Sequence, residues 1–488
     1  MPRERSRDLA SLRPDILAAS DSRHARRAVI IASITQLVVV LDGAVLLIAL
    51  PLLAQDLGVG VASLPWVANA YALTMAGTLL LGGRIADLFG AVACLRLGLA
   101  LFAVASLGAG LAPTFEILIL FRLFQGLAAA LLSPASLALI TNSTSVGVDR
   151  ERAIATWAVT ATIGGTLGAL LGGAVTQLID WRWTLLINVF LAPALILMTK
   201  GITLGRAVEG GRPKRRHYDF PGAALLLVFV GFIMLSVTLS VDGRIRGWAV
   251  VVAVAALAAF VAVERRSAYP ILPLSVMRSP RVTLTNGAAF LLMAGLAASG
   301  FYTSLYAQLV SGLSPIVTAL ALLPSAVASA VVAKLVPRLI CRFGERALRA
   351  SAPLLAAFAS LLLAVAAFFQ LPFAALIPLL ILQSIGASIA VVTLTSASTR
   401  SLPARSAGLA GGLITTAGQV GSSIGLAVLV GLAALVAGSG SDSHETGSIA
   451  VQMAVALAAG AVSTVTAGLL AQQIPPGNDT EPRMVALP

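Results

Sequence analysis

The sequence predicts an all-α integral membrane protein of fourteen transmembrane helices, arranged as six, two and six, with the N and C termini cytoplasmic. Three observations carry this prediction: the scarcity of charge, the length of the apolar stretches, and the side on which the basic loops fall. Of 488 residues, 58% are hydrophobic and 11% charged, with a mean hydropathy of +0.96. A soluble globular chain carries about 25% charged residues, so polar surface for several soluble domains is missing. That excludes an ordinary cytosolic enzyme, a disordered regulator and a coiled coil.

A spanning helix needs about 20 mostly apolar residues. Stretches with little or no charge run 28–55, 57–83, 97–115, 117–148, 153–179, 183–199, 220–241 and 247–263. The runs 282–333 and 350–399 are too long for one span each, because at ~1.5 Å per residue either exceeds the hydrocarbon core about twofold. Each has a turn signal near its middle, Ser311-Gly312-Leu313-Ser314-Pro315 and Phe369-Gln370-Leu371-Pro372, and so reads as a helical hairpin. Adding 406–438 and 448–471 brings the spans to fourteen. The first span follows Arg26-Arg27 but is too long for a signal-peptide core and lacks a cleavage site, so it is expected to stay.

Loop charge fixes the sidedness. The segment 1–27 holds seven Arg, 200–219 six Lys/Arg, 264–281 four and 334–349 five. Loops on that side total 29 cations, against three on the other (Arg182, Arg244, Arg246) and Arg122 within a span. The positive-inside rule then makes both termini cytoplasmic. It also explains the net charge of +13 and the pI near 11.0 without nucleic acid. Of the 33 cations, 30 are Arg, a bias that suggests a GC-rich bacterial genome. The only two cysteines, Cys94 and Cys341, fall beside basic loops, where no disulfide is expected, and two thiols make no metal site.

The resulting organisation is a cytoplasmic tail 1–27, a six-helix half 28–203, a basic loop 204–219, two inserted helices 220–263, a linker 264–281, a second six-helix half 282–474 and a tail 475–488. The linker, with Pro270 and Pro273, is expected to hold a short interfacial helix. The two halves repeat. Arg84-Ile85-Ala86-Asp87-Leu88-Phe89-Gly90 matches Arg338-Leu339-Ile340-Cys341-Arg342-Phe343-Gly344 at an offset of 254. Leu123-Phe124-Gln125-Gly126 matches Ile381-Leu382-Gln383-Ser384, and Gly164, Gly168 and Gly172 are echoed by Ala417, Gly421 and Gly425. Parallel repeats of this kind place a substrate site between two rocking halves.

Five places in order resemble a known family: Leu41-Asp42 to Leu50-Pro51, Gly83 to Gly90, Arg122 to Gly126, Leu305-Tyr306 to Pro315 with Pro324, and Trp181-Arg182-Trp183 with Asn188. Over nearly its whole length the chain resembles the fourteen-helix drug:proton antiporters of the major facilitator superfamily. The resemblance implies the major facilitator fold and a secondary active exporter of drugs, antibiotics or other amphiphilic molecules in the bacterial inner membrane, driven by protons. The chain departs from the family pattern at Ala44 and Leu47 (family Thr and Asn), at the uncharged Leu88, Ala91 and Val92, and at Ala169 (family Pro). An importer or metabolite exchanger on the same fold is the alternative, and a membrane enzyme or receptor the remote one. The expected partners are a small-molecule substrate, protons and lipid; a monomer without cofactor or metal is expected.

Ionisable residues in a span are functional candidates. Asp42 lies nine residues before Pro51, and Arg122 nine after Pro113. At ~1.5 Å per residue both sit roughly 13 Å from the same face, matched for a direct or water-mediated pair. Proton coupling and a structural bridge between helices are both open. Gln125, one turn from Arg122, joins Asn69, Tyr71, Tyr302, Tyr306 and Gln308 as candidate substrate-cavity residues, whereas Trp66 reads as an interfacial anchor. Gly83, Asp87, Gly90, Gly164, Gly168 and Gly172 are candidate gating positions. The glycines are equally suited to close packing, and Asp87 to plain solvation or to pairing with Arg96 or Arg150. Gly421-Ser422-Ser423-Ile424-Gly425 matches a hydrolase elbow only formally, since it lies in an apolar helix and His24, His217 and His444 fall in loops or the tail. No phosphate-binding loop is present in the sequence.

Overall fold

A computed structural model describes residues 5–144, 148–200, 202, parts of 221–232, 247–267, 279–400, 407–437 and 446–475. Among these residues all regular structure is helical. The first half comprises α1 (Arg5–Leu57), α2 (Pro65–Phe89), α3 (Ala91–Gly110), α4 (Phe115–Ser143), α5 (Val148–Leu178) and α6 (Trp183–Met198). An inserted helix follows, α7 (Gly247–Arg266). The second half comprises α8 (Pro280–Leu305), α9 (Pro315–Phe343), α10 (Glu345–Phe368), α11 (Phe373–Thr399), α12 (Ala407–Ala437) and α13 (Thr446–Gln473). Ten described helices are long and apolar enough to cross a membrane, or eleven if the segments of α5 and α6, bent by 118° at their break, form one span. Most of the segment 220–241, the loop 204–219, most of the linker 264–281 and nearly all of the tail 475–488 lie outside the described residues.

The helix ends follow from local chemistry. Both long apolar runs break where the turn signals stand. Gly312 takes φ 66° and Ser314 caps α9 by accepting from Val317 N at 3.4 Å, while Gln370 takes φ 51° between α10 and α11. Several expected boundaries shift. The tail residues from Arg5 onward continue the helix of the first span, and α3 covers Ala91–Gly110 instead of 97–115. An apolar run marks the stretch that lipid requires; a helix continues past it into charged sequence until a breaker intervenes. Here the breaker between α2 and α3 is Gly90 alone, at φ 88°, and its repeat partner Gly344 at φ 82° separates α9 from α10. Only glycine enters that conformation without steric cost.

The repeat is visible in the packing. In the first half α1 packs on α5, α2 on α4, and α3 on α4 and α6; in the second, α8 packs on α12, α9 on α11, and α10 on α11 and α13. The halves meet through α2 against α12 and α5 against α9. Small residues set these distances. A Cβ on Gly172 would come within 2.3 Å of Val45 O, and one on Gly421 within 2.3 Å of Phe290 O.

The two faces of the bundle differ. At the low-charge face, which carries Pro51 and Trp181, one apolar cluster draws on both halves, joining Leu46, Leu53 and Leu64 to Phe301, Tyr306 and Leu363. Toward the basic face the core splits into two clusters, one confined to each half. Among the described residues the apolar core is thus continuous across the halves at the low-charge face and separate in each half toward the other.

Candidate functional site

The buried charges lie on α1 and α4. Asp42 Oδ2 accepts from Arg122 Nη1 at 2.6 Å, and both side chains have no solvent exposure. Removing two ions from water costs several kcal/mol each unless every lone pair and proton finds a partner. The surrounding residues supply most of them. Asp42 Oδ1 also accepts from Asn188 Nδ2 on α6 at 2.7 Å and from Gln125 Nε2 at 3.3 Å. Arg122 donates through Nε to Val67 O at 2.9 Å and through Nη1 to Gln125 Oε1 at 3.0 Å, while its guanidinium lies 4.5 Å from the centre of the Tyr71 ring. Tyr71 is held in turn by its hydroxyl, which donates to Val39 O at 2.9 Å, and Gln125 donates to Ser106 Oγ at 2.7 Å. Arg122 Nη2 and Asn188 Oδ1 stay unpartnered within the cluster.

The matched depths of Asp42 and Arg122 are thus realised as a direct ion pair, with Gln125 on the same face. Asn188 and Ser106 complete it without having been singled out for this site. A polar residue within an apolar helix was the available signal for both.

The second half keeps the neutral part of this arrangement. Gln383 donates to Ser360 Oγ at 2.7 Å and accepts from Ser299 Oγ at 2.7 Å. Gln383 and Ser360 correspond in the repeat to Gln125 and Ser106, but no charge accompanies them. Each half also ties down its last helix with an arginine. Arg96 donates to Thr199 Oγ1 at 2.7 Å and Thr199 O at 2.9 Å, and Arg349 to Ala471 O at 3.1 Å and Ile474 O at 3.2 Å. Arg150 binds the carbonyls of Thr141 and Thr144 at the end of α4. Both arginines considered as partners for Asp87 are therefore engaged with helix C termini, where cations are favoured; the Asp87 side chain lies outside the described residues.

Of the remaining candidates, Asn69 and Gln308 bridge the halves, while Tyr302 and Tyr306 make no hydrogen bond to the first half. Asn69 Nδ2 donates to Ser423 O at 3.3 Å across the α2–α12 contact, and Trp66 packs into the same seam. Tyr306 donates to Leu371 O at 2.7 Å, whereas the Tyr302 hydroxyl is buried without a partner. Gln308 Nε2 donates to Ile48 O at 3.0 Å, and Ser304 Oγ, a residue not singled out from the sequence, to Leu47 O at 2.8 Å. Pro51 explains the second acceptor: a helical carbonyl at i bonds the N–H at i+4, and proline has none. At the same face Asp56 accepts from Trp181 Nε1 at 3.2 Å and pairs with Arg182.

Of the glycines, Gly164, Gly168 and Gly172 line the α1–α5 contact, where added Cβ atoms would meet Leu37 O at 3.1 Å, Leu41 O at 2.9 Å and Val45 O at 2.3 Å. Next to the loop motif the tight position is Gly82, where an added Cβ would lie 2.0 Å from Ala130 O; a Cβ on Gly83 would meet Pro134 Cβ at an ordinary 3.7 Å.

A cavity of about 250 Å³ opens between α8, α11 and α12. Its walls include Met293, Leu394 and Ile414 with the polar groups of Thr395, Thr415 and Gln419. The six residues first considered for a substrate cavity are not among its lining residues. They lie in the packed part of the bundle.

Residues 32–426 match the family profile of the Major Facilitator Superfamily. The cephamycin export protein CmcT of Amycolatopsis lactamdurans is 34% identical, over 94% of this chain and 96% of that protein. The lincomycin resistance protein of Streptomyces lincolnensis is 34% identical, over 85% of each. In fold the chain is similar to a bacterial homolog of the human lysosomal transporter Spinster, solved in an inward-facing, unoccupied conformation. The TM-score is 0.65 at 16% identity, over 92% of this chain and 97% of that one.

Proposed function

We propose, on the premise that the chain belongs to the Major Facilitator Superfamily, that it exports antibiotics or other amphiphilic small molecules across a bacterial inner membrane in exchange for protons. It is a multi-pass membrane transporter, not an enzyme. Export is supported by relatives named for antibiotic export and resistance. Proton exchange rests on one observation: the fully buried Asp42–Arg122 pair, gripped by Gln125 and Asn188.

The geometry suits a two-state exchange. With Asp42 ionised, Arg122 and Asn188 tie α1 to α4 and α6. A proton on Asp42 cancels the charge on which these donors converge and loosens α1 at its middle. Because α1 also carries the Leu47 and Ile48 carbonyls that receive Ser304 and Gln308, movement of α1 reaches the seal between the halves. A proton can bias the two states only through such a difference in contacts.

On this reading there are fourteen spans, with α5 and α6 counted separately, and the low-charge face is external. The described conformation is then closed outside and divided toward the cytoplasm, the side from which an exporter loads. Asn69, Tyr302, Tyr306 and Gln308 become accessible when the outer seal opens, and Gly164, Gly168 and Gly172 form the surface on which α1 and α5 move. The test is pH-driven accumulation of drug-class compounds in everted membrane vesicles carrying the chain. An imposed gradient that moves none of a chemically varied panel overturns the proposal.

A further inference from the structure

The seam between α2 and α12 passes directly above the cavity. Ser423, whose carbonyl receives Asn69 of the other half, lies one helical turn from Gln419 on the cavity wall. Residues four apart share a helix face, so the cavity adjoins the boundary between the halves and not only the lipid. Among the described residues its lining includes no charged side chain. Three polar side chains, Thr395, Thr415 and Gln419, stand among apolar ones, and Met293 adds an adaptable wall.

A lipophilic cation is favoured by a carboxylate or an aromatic face, and among the described lining residues there is neither. Deep within the described spans the carboxylate is Asp42, which is unexposed and already engaged by three donors. Glu264 sits in the last turn of α7, buried, and lies outside the cavity. Placing a permanent cation in an uncharged, partly dehydrated pocket is unfavourable, whereas an uncharged molecule with a hydrogen-bond acceptor is served by Gln419 and the threonine hydroxyls.

Resting on the exporter reading, we infer that the α8–α11–α12 cavity is the cargo site, and that it selects uncharged lipophilic molecules bearing a hydrogen-bond acceptor over lipophilic cations. Gly411 offers a way to block it. An added Cβ there meets nothing within 4 Å, so a large side chain enters open space at the cavity instead of displacing a helix.

The experiment uses the full chain in lipid nanodiscs and two tritiated probes of similar bulk, triphenylphosphine oxide (neutral, with one strong acceptor) and tetraphenylphosphonium (a permanent cation without one). Equilibrium binding above empty nanodiscs is expected to favour the oxide at least tenfold. Gly411→Phe is expected to weaken oxide binding at least tenfold, and Gln419→Leu severalfold. Val462→Phe, at a site 68% exposed on α13, leaves it unchanged. Equal or tighter binding of the cation overturns the inference, as does undiminished oxide binding in a monodisperse Gly411→Phe protein. If that variant does not fold, Gln419→Leu decides alone, and undiminished binding in it counts against the cavity. pH-driven flux of the cation without oxide binding would keep the exporter reading and sink this one. Cavity binding without any pH-driven flux would do the reverse.

Discussion

The Ser304 hydroxyl donates a 2.8 Å hydrogen bond to the Leu47 carbonyl, joining α8 of the second half to α1 of the first. Pro51 leaves that carbonyl without its helical donor, so the proline creates the acceptor on which the other half docks. One such bond contributes about 1 kcal/mol net, roughly a fivefold change in a two-state ratio. Ser304→Ala is therefore expected to raise labelling of a cysteine at Ala307, in a Cys341→Ser background, about fivefold with an impermeant maleimide applied from outside. Adding Gln308→Met raises it further. Unchanged labelling in the double variant means these contacts do not hold the seal.

Asp42→Asn is expected to yield a folded protein that binds cargo and equilibrates it downhill but no longer concentrates it against a gradient when pH is the driving force. Arg122→Ala is the more damaging change, since breaking one side of a buried pair destabilises by about 3–5 kcal/mol. Thermal unfolding and vesicle uptake separate the two effects. Wild-type uphill pumping by Asp42→Asn would reduce Asp42 to a structural role.

Asn188→Ala removes one of the donors to Asp42 and leaves the ion pair in place. Loss of a hydrogen bond to a charged group costs about 1.5–3 kcal/mol. The expected result is a shift in the pH at which uptake is half-maximal, with cargo affinity unchanged. An unmoved pH profile separates Asn188 from the coupling machinery.

The glycines divide by geometry. Gly82→Ala and Gly172→Ala place a methyl 2.0 Å and 2.3 Å from backbone oxygens and should lower stability by about 1–3 kcal/mol through overpacking. Gly83→Ala meets only an ordinary contact and should leave the unfolding temperature in place. A Gly83→Ala protein as unstable as Gly82→Ala would show that Gly83 acts other than through packing.

Topology reporters fused after Gly211 and Pro488 are expected on the cytoplasmic side, and one after Gly440 outside. If Gly211 and Gly440 report the same side, the fourteen-span arrangement fails.

The legible parts of the sequence were those governed by solvent. Lipid forbids charge, so the apolar runs located the helices, and the turn signals at Gly312 and Gln370 split the two long runs as the structure does. The same rule exposed Asp42 and Arg122. Less legible was which neutral polar residues would answer them, because Asn188 and Ser106 look like any other polar residue in a helix until rotation about the axis is fixed by packing. Tyr306 and Gln308 show the converse. Polar groups in a span suggest a cavity, but here they bind Leu371 O and Ile48 O inside a sealed interface. The tight glycine fell at Gly82 and not Gly83 for a similar reason: spacing identifies a face, and only the neighbouring helix decides which residue on it has no room.

Gln125–Ser106 and Gln383–Ser360 occupy equivalent places, yet only the first pair is joined by an acid and a base. On the proposed reading the duplicated unit is specialised, with the ion pair on one copy and the described cavity on the other. Mutations that widen the range of exported compounds can accumulate on α8, α11 and α12 while the ion pair on α1 and α4 stays intact. A population under changing antibiotic pressure could retune its pump in small viable steps, and sequence drift between related strains should be faster in the cavity wall than around Asp42.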